Sequence, residues 1–303
     1  MNIYKNMPPF NTLSAWGIRF SGIPYMVRKF IQKEKTTILM FHRPTADYFE
    51  RAVAVLKTRY NIIPFSRYLE HLENQCSLPV NPVVITLDDG WGTNIDLLPV
   101  IRKHQIPVTI FLLAGIADTC FHPWFYFSSD RIQKEALKGM SDSMRLAELK
   151  HKGFEETKGF EERVILNGEE IREMHISGLV TFGSHTLFHP ILPKCTDAKA
   201  TREISLSKEK IEAFTGVPCE IFSFPNGEYS ERDIRICKKA GYKAAVTLDV
   251  GFNDSKTDSF KLRRFSVPDT GSVSEFLVKA SGLWAFVKIL TGKQKLRRRH
   301  AGL

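Results

Sequence analysis

Six short apolar runs, each ending on or just before a polar or chemically active residue, constrain this chain more than any other feature. They are Ile38–Phe41 ending at His42, Val83–Leu87 ending at Asp88, Val108–Leu113 ending before Gly115, Leu179–Phe182 ending before Gly183 and His185, Ile221–Phe224 ending at Pro225, and Ala244–Leu248. Helix-forming stretches lie between them at 47–58, 96–104, 168–176, 197–215 and 230–240. Runs that are apolar on both faces and alternate with helices predict a parallel sheet covered by helices. Six or seven repeats in about 230 residues suit a closed sheet better than an open one, so the expected class is α/β, a distorted (β/α) barrel. Such a barrel gathers its reactive groups at the C-terminal ends of its strands. Here those ends read His42, Asp88-Asp89, His185 and Pro225-Asn226.

The barrel is expected to span residues 36–270, with a helical insertion at about 118–165 that begins in an aromatic cluster, Phe121–Phe127. Those aromatics either pack the insertion onto the barrel or wall a substrate cleft. Residues 1–35 and 271–303 read as basic amphipathic segments flanking it. Five scattered cysteines without a Cys-x-x-Cys pair indicate neither a disulfide framework nor a zinc ribbon. The first thirty residues are broken by Pro8, Pro9, Gly17, Gly22 and Pro24 and lack the apolar core of a secretory leader. No uncharged apolar run reaches the roughly 18 residues that a spanning helix needs. The expected location is therefore the cytoplasm, with peripheral attachment to the cytoplasmic face of a membrane left open.

Asp88-Asp89-Gly90 alone reads as a strand-end turn, and either histidine of His185-Thr-Leu-Phe-His189 alone could satisfy a loop carbonyl. Together, at strand ends on one face, two imidazoles and a carboxylate form a three-ligand set for a catalytic divalent metal, zinc being the expected ion, with a fourth position open to water. Such water has its pKa lowered to about 7, and a second carboxylate beside the ligand can take its proton.

Thr86–Trp91 (TLDDGW) resembles the first motif of the polysaccharide deacetylases, the NodB-homology fold of carbohydrate esterase family four, and Ser184–His189 (SHTLFH) resembles their second. Phe222–Gly227 (FSFPNG) is similar to the third, and the resemblance runs from about Thr36 to Val267. It implies Asp89, His185 and His189 as metal ligands, Asp88 as general base, and the Asn226 N–H, following Pro225, as oxyanion donor. Trp91 could stack on a sugar ring or serve core packing.

Two departures stand out. Ser223 occupies the place where the family's third motif often carries an arginine that holds the base, and no histidine between His189 and His300 offers a C-terminal general acid. His42 answers the second: ILMFH resembles the opening strand of circularly permuted deacetylases of poly-N-acetylglucosamine, and first and last strands of a closed barrel are neighbours. His42 is thus the expected acid, protonating the leaving amine. His71, His104, His151 and His175 read as solvated helical residues, and His122 is left undecided.

The net charge of +10 is unevenly spread. Residues 1–35 carry +5, residues after Glu275 carry +7, and the stretch between is −2. Ser274–Leu290 places Phe276, Leu277, Leu283, Trp284, Val287 and Leu290 largely on one side of a helix, followed by KQKLRRRH. This is the composition of an interfacial helix on anionic lipid, and the N-terminal segment with Trp16, Phe20, Tyr25, Met26 and Phe30 could act alike. Barrel packing with a solvated tail is the alternative. Nucleic acid is not expected, because the aromatics do not line a basic strand face. The reading is a metal-dependent hydrolase that deacetylates an N-acetylated sugar of a polysaccharide or lipid-linked glycan by attack of metal-bound water. Its alternative is a catalytically silent glycan-binding or membrane-tethered member of the fold, motivated by Ser223.

Overall fold

A computed structural model describes residues 12–128 and 130–290. Eight strands form one sheet: β1 Thr37–Phe41, β2 Asn61–Ile62, β3 Pro82–Leu87, β4 Val108–Leu112, β5 Val180–Ser184, β6 Ile221–Ser223, β7 Ala244–Val246 and β8 Phe265–Ser266. The order is β7-β6-β5-β4-β3-β1-β8, with β2 pairing only β3, and every strand pair is parallel. β1, β3 and β4 are buried along their whole length, as strands covered on both faces must be. The two edges nearly meet. Leu262 bridges Val246 in parallel, and three residues later Phe265 pairs with Leu39, so residues 262–266 link β7 to β1 and curl the sheet into a distorted barrel. The first strand therefore lies beside the last.

The helices are α1 Thr12–Phe20, α2 Ile23–Val27, α3 Ala46–Lys57, α4 Phe65–Asn74, α5 Leu98–His104, α6 Arg131–Gly139, α7 Asp142–Lys150, α8 Gly168–Ile176, α9 Asp197–Thr215, α10 Glu231–Lys239, α11 Val273–Ala280 and α12 Leu283–Leu290. Local capping fixes the best-read ends. Asn167 and Glu170 form a reciprocal capping box before α8, Ser230 and Asp233 do so before α10, and Thr196 caps α9, which stops at left-handed Gly216. α6 and α7 lie in the 118–165 insertion. Lys199 of α9 clasps it to the barrel through Asp142 and Glu156, each at 2.7 Å.

The C-terminal stretch differs from expectation. Instead of one helix, it breaks at Ser281–Gly282 into α11 and α12, where Gly282 adopts φ 73°. A Cβ at Gly282 would lie 2.7 Å from the Phe265 ring, so the break also lets the chain pass close to the barrel. The apolar face of α11 is consumed by packing: Phe276 and Leu277 are buried, and Phe276 stacks on Phe41. Phe286 of α12 meets Phe252 and Phe265. The basic run after Leu290 and residues 1–11 lie outside the described residues.

Candidate active site

β3 delivers both carboxylates. The Asp88 N–H still donates to the Phe41 carbonyl at 3.0 Å as a continuation of the β1–β3 ladder, and Asp89 then turns left-handed at φ 74° with Gly90 at φ 70°. Gly90 is required for space as well, since a Cβ there would lie 2.5 Å from Leu112 Cδ1. The turn sends the adjacent carboxylates to different partners. Arg264, fully buried just before β8, grips Asp88 with both terminal nitrogens, at 2.7 Å to Oδ1 and 2.9 Å to Oδ2. Its Nε donates to the Thr247 carbonyl at 2.9 Å, and Nη2 also donates to Ser223 Oγ at 3.1 Å. Burial would raise the Asp88 carboxyl, but Arg264, with His185 and His42 adding, outweighs this and holds it down at about 2. Asp89 has no such counter-ion. Burial pushes its carboxyl up, and the neighbouring Asp88 charge adds to that push.

β5 delivers the imidazoles. His185 Nδ1 donates to the Ser223 carbonyl at 2.7 Å, which leaves the Nε2 lone pair facing Asp89 Oδ1 at 3.6 Å. The chain then turns through two left-handed residues, Thr186 at φ 69° and His189 at φ 60°. Several groups hold this turn. Thr186 Oγ1 accepts from the His189 N–H at 3.0 Å, and buried Glu203 Oε2 accepts from the Leu187 and Phe188 N–H groups at 2.9 and 3.0 Å. The Trp124 indole donates to the His189 carbonyl at 2.8 Å. His189 Nε2 lies 3.8 Å from Asp89 Oδ1, and burial with the nearby His185 keeps its imidazole neutral well below the ordinary pKa.

Asp89, His185 and His189 thus offer one donor atom each within 4.8 Å of one another, all three residues buried. Donors bound to a tetrahedral zinc at about 2.0–2.1 Å stand about 3.3 Å apart, close to the spacings seen here. A buried carboxylate without counter-ion, two imidazoles presenting neutral nitrogens and a carbonyl fixing one tautomer are what a divalent cation requires. The residues fit the ion.

His42 follows β1 and is partly exposed. Its N–H donates to Asp269 Oδ1 at 2.9 Å and its carbonyl accepts from Asn94 Nδ2 at 3.1 Å. Its imidazole is near enough to depress the pKa of both Asp88 and Asp89, so this strand-end histidine shares the mouth that holds the carboxylates. Pro225 and Asn226 form a tight turn after β6, with Asn226 left-handed at φ 54°. Trp91 is only 8% exposed and donates its indole N–H to Asp89 Oδ2 at 3.0 Å, with the Arg43 guanidinium over its ring, so little of the ring remains for a sugar. The aromatic cluster packs behind the site: Phe125 meets the His189 ring edge-on, while Tyr126 stays exposed near Trp91. His122 is fixed by the Glu162 carbonyl and stacks on Phe160.

Two site residues escape the sequence reading, Arg264 and Glu203. Arg264 heads a short run, RFSV, that continues the strand pattern with one buried cation. Glu203 interrupts the buried stripe Ala200, Ile204, Ser207 and Ile211 of α9, and a carboxylate in such a stripe is a signal that the spacing alone displays.

A carboxylate, two histidines and an arginine-held second carboxylate stand together at the carboxyl mouth of a parallel barrel, where such folds carry their active sites. The sequence profile of the polysaccharide deacetylase family matches residues 77–245, more than half of the chain, and the chain belongs to that family. YxkH of Bacillus subtilis (strain 168), a polysaccharide deacetylase by name, is 25% identical over 195 residues, covering 64% of this chain. The chain spans 54% of the length of that curated relative. Among solved structures, the deacetylase PplD of Streptococcus pyogenes, in complex with acetate, shares the fold at TM-score 0.61 and 18% identity over 82% of this chain and 99% of its own. IcaB of Ammonifex degensii does so at TM-score 0.61 and 19% identity, over 82% and 98%.

Proposed function

We propose that the protein is a divalent-metal-dependent hydrolase that removes acetyl groups from the amino sugars of a glycan. The observation that carries this reading is the buried Asp89–His185–His189 donor set with Asp88 held beside it by Arg264. A divalent cation in that set, zinc by the chemistry of the donors, would polarise the acetyl carbonyl and make a water at the open position acidic near neutral pH. Asp88 is kept ionised by Arg264 and takes the proton of the attacking water. The Asn226 N–H, presented by the left-handed turn after Pro225, donates to the developing oxyanion. His42, from the strand beside β8, gives its proton to the departing nitrogen. Trp91 positions Asp89 through its indole N–H. Ser223 does not leave the base unheld, because Arg264 reaches the same place from just before the last strand and contacts the Ser223 hydroxyl.

The test is acetate release from N-acetylglucosamine oligomers by the metal-stripped protein, before and after zinc is added back. The proposal expects zinc-restored release in the wild type, and none from Asp89→Asn or His189→Ala. Metal bound with wild-type affinity but no acetate released from any N-acetylated glycan would refute it. Full activity of a His42→Ala enzyme would remove the assigned acid.

A further inference from the structure

Large apolar side chains are concentrated on one stretch of the surface. Trp16, Phe20, Tyr25, Met26 and Phe30 are each more than half exposed, all within α1, α2 and the π-helical turn Arg28–Gln32 that follows. Elsewhere among the described residues, apolar side chains this exposed occur singly, at Val80, Ile132, Met144 and Ile176. Scattered exposure is normal in folded proteins, whereas a contiguous apolar patch marks a surface that meets something. The opposite side of the segment is fixed. Ala15, Val27 and Gln32 are buried, α1 packs along α11, and Arg19 donates to Ser274 Oγ near the start of α11 at 3.1 Å. Gln32 closes the other end, donating to Thr37 Oγ1 at 3.0 Å and the Ala280 carbonyl at 3.3 Å. The aromatic side therefore faces outward along the flank of the barrel.

The charges interleaved with this patch are of one sign. Burial lowers the pKa of Arg59, and the nearby Arg28 and Arg19 charges lower it further. Lys29 sits over the Tyr25 and Phe30 rings, 5.9 and 5.5 Å from their centroids, and Arg19 over the Phe20 ring at 5.1 Å. Among the described residues no carboxylate pairs with Arg19, Arg28, Lys29 or Arg59, and residues 12–32 contain no acid. Cationic groups interleaved with exposed aromatic rings, in a segment without an acid, suit an anionic surface. α11, which α1 packs against, also contacts α12, after which the sequence continues with Lys293, Lys295 and Arg297–Arg299. A second copy of the chain is a poor occupant, because a two-fold interface would bring a basic, acid-free face towards its own like.

We propose that the outward face of residues 16–31 docks on an anionic lipid bilayer, its aromatic side chains entering the headgroup–acyl boundary and Arg28 and Lys29 meeting lipid phosphates. The docking face stands on observations independent of the metal site and of the deacetylase reading.

The experiment is co-sedimentation of the full chain with phosphatidylcholine vesicles and with phosphatidylcholine–phosphatidylglycerol vesicles, with brominated-lipid quenching of Trp16 fluorescence, using Trp16→Phe to isolate that signal. The proposal expects binding to the anionic vesicles, weakened about five-fold by Arg28→Gln and again by Lys29→Gln. A Phe20→Ser/Phe30→Ser pair should weaken it by more than about ten-fold at an unchanged melting temperature. No binding by the wild type, equal binding to pure phosphatidylcholine, or unchanged binding of the phenylalanine pair would overturn it. So would binding lost only when Arg297–Arg299 are neutralised, which would assign it to the tail. A dimer in sedimentation velocity that the phenylalanine pair dissolves would assign the face to a second copy instead.

Discussion

Replacing Arg264 by Met tests the architecture of the site at its most loaded contact. Two parallel hydrogen bonds to Asp88 would be lost inside the barrel, leaving a buried carboxylate one residue from a second one. Lowering the Asp88 carboxyl from 3.8 to about 2 corresponds to about 2 kcal/mol of preferential stabilisation of its ionised form. Breaking a buried pair from one side costs about 3–5 kcal/mol, because the remaining charge has no partner. The sign with pH follows from the direction of the shift. In the wild type the folded-state carboxyl is depressed, so its contribution is present above the unfolded value of 3.8 and is lost as pH falls through about 2. Without Arg264 the carboxyl loses the strongest of the influences that lower it while burial still raises it, so its stabilising contribution above 3.8 shrinks. Urea unfolding across that range should show a gap between wild type and Arg264→Met that widens with pH, and acetate release at neutral pH should fall because the group that holds and ionises Asp88 is gone. The double variant Arg264→Met/Asp88→Asn should recover most of the stability and none of the activity. The exchange Arg264→Ser/Ser223→Arg, which moves the guanidinium across a 3.1 Å contact, should return part of the activity. Equal stability and activity of Arg264→Met and wild type would refute the reasoning.

Metal removal provides a second check: chelation should lower the melting temperature because Asp89 is then buried without a counter-ion, and zinc at about 100 times its Kd should return about 2.7 kcal/mol. Asp89→Asn should abolish that zinc-dependent shift in differential scanning fluorimetry. Trp91→Phe removes the indole donor from Asp89 and should weaken zinc binding by about 10–100-fold in a competition titration, with modest effect on the apo fold. Glu203→Ala frees the Leu187 and Phe188 N–H groups and should loosen the histidine turn, lowering zinc affinity, whereas Glu203→Gln keeps an acceptor and should retain it. Burial raises the Glu203 carboxyl from 4.5 to about 7 against those donors, so the native state holds its proton longer than the unfolded chain. Wild-type stability should therefore fall by up to about 3 kcal/mol between pH 4.5 and 7, and Glu203→Gln should lack this slope.

The barrel was legible because its signals are local. Apolar runs such as Val83–Leu87 are buried on both faces, and caps such as Asn167 and Thr196 mark helix ends within four residues. α4 and β8 were not read, because Phe65–Asn74 carries many polar residues and Phe265–Ser266 is too short to show a period. The C-terminal amphipathic pattern was legible as well, but not its use. An apolar stripe looks the same whether it meets lipid or a barrel, and only the packing of Phe276 on Phe41 decides for the barrel.

The donor atoms were legible, and what holds them was not, for a physical reason that the backbone displays. Eight non-glycine residues among the described ones have positive φ, and four of them, Asp89, Thr186, His189 and Asn226, belong to the site turns after β3, β5 and β6. For side-chain-bearing residues this conformation costs about 1–3 kcal/mol each, and for β-branched Thr186 it is a genuine outlier. No local propensity selects it. It persists because distant groups over-determine it: Trp124 from the insertion, Glu203 from α9, Arg264 from just before the last strand and Ser223 from β6 each bond to a site turn or to a side chain that it carries. Sequence motifs therefore locate the donor set, while the strain that aims it is maintained by residues 15 to 176 positions away. Removing Trp124 or Glu203 should release a turn rather than a ligand, and the loss should appear first in metal affinity and only then in the stability of the barrel.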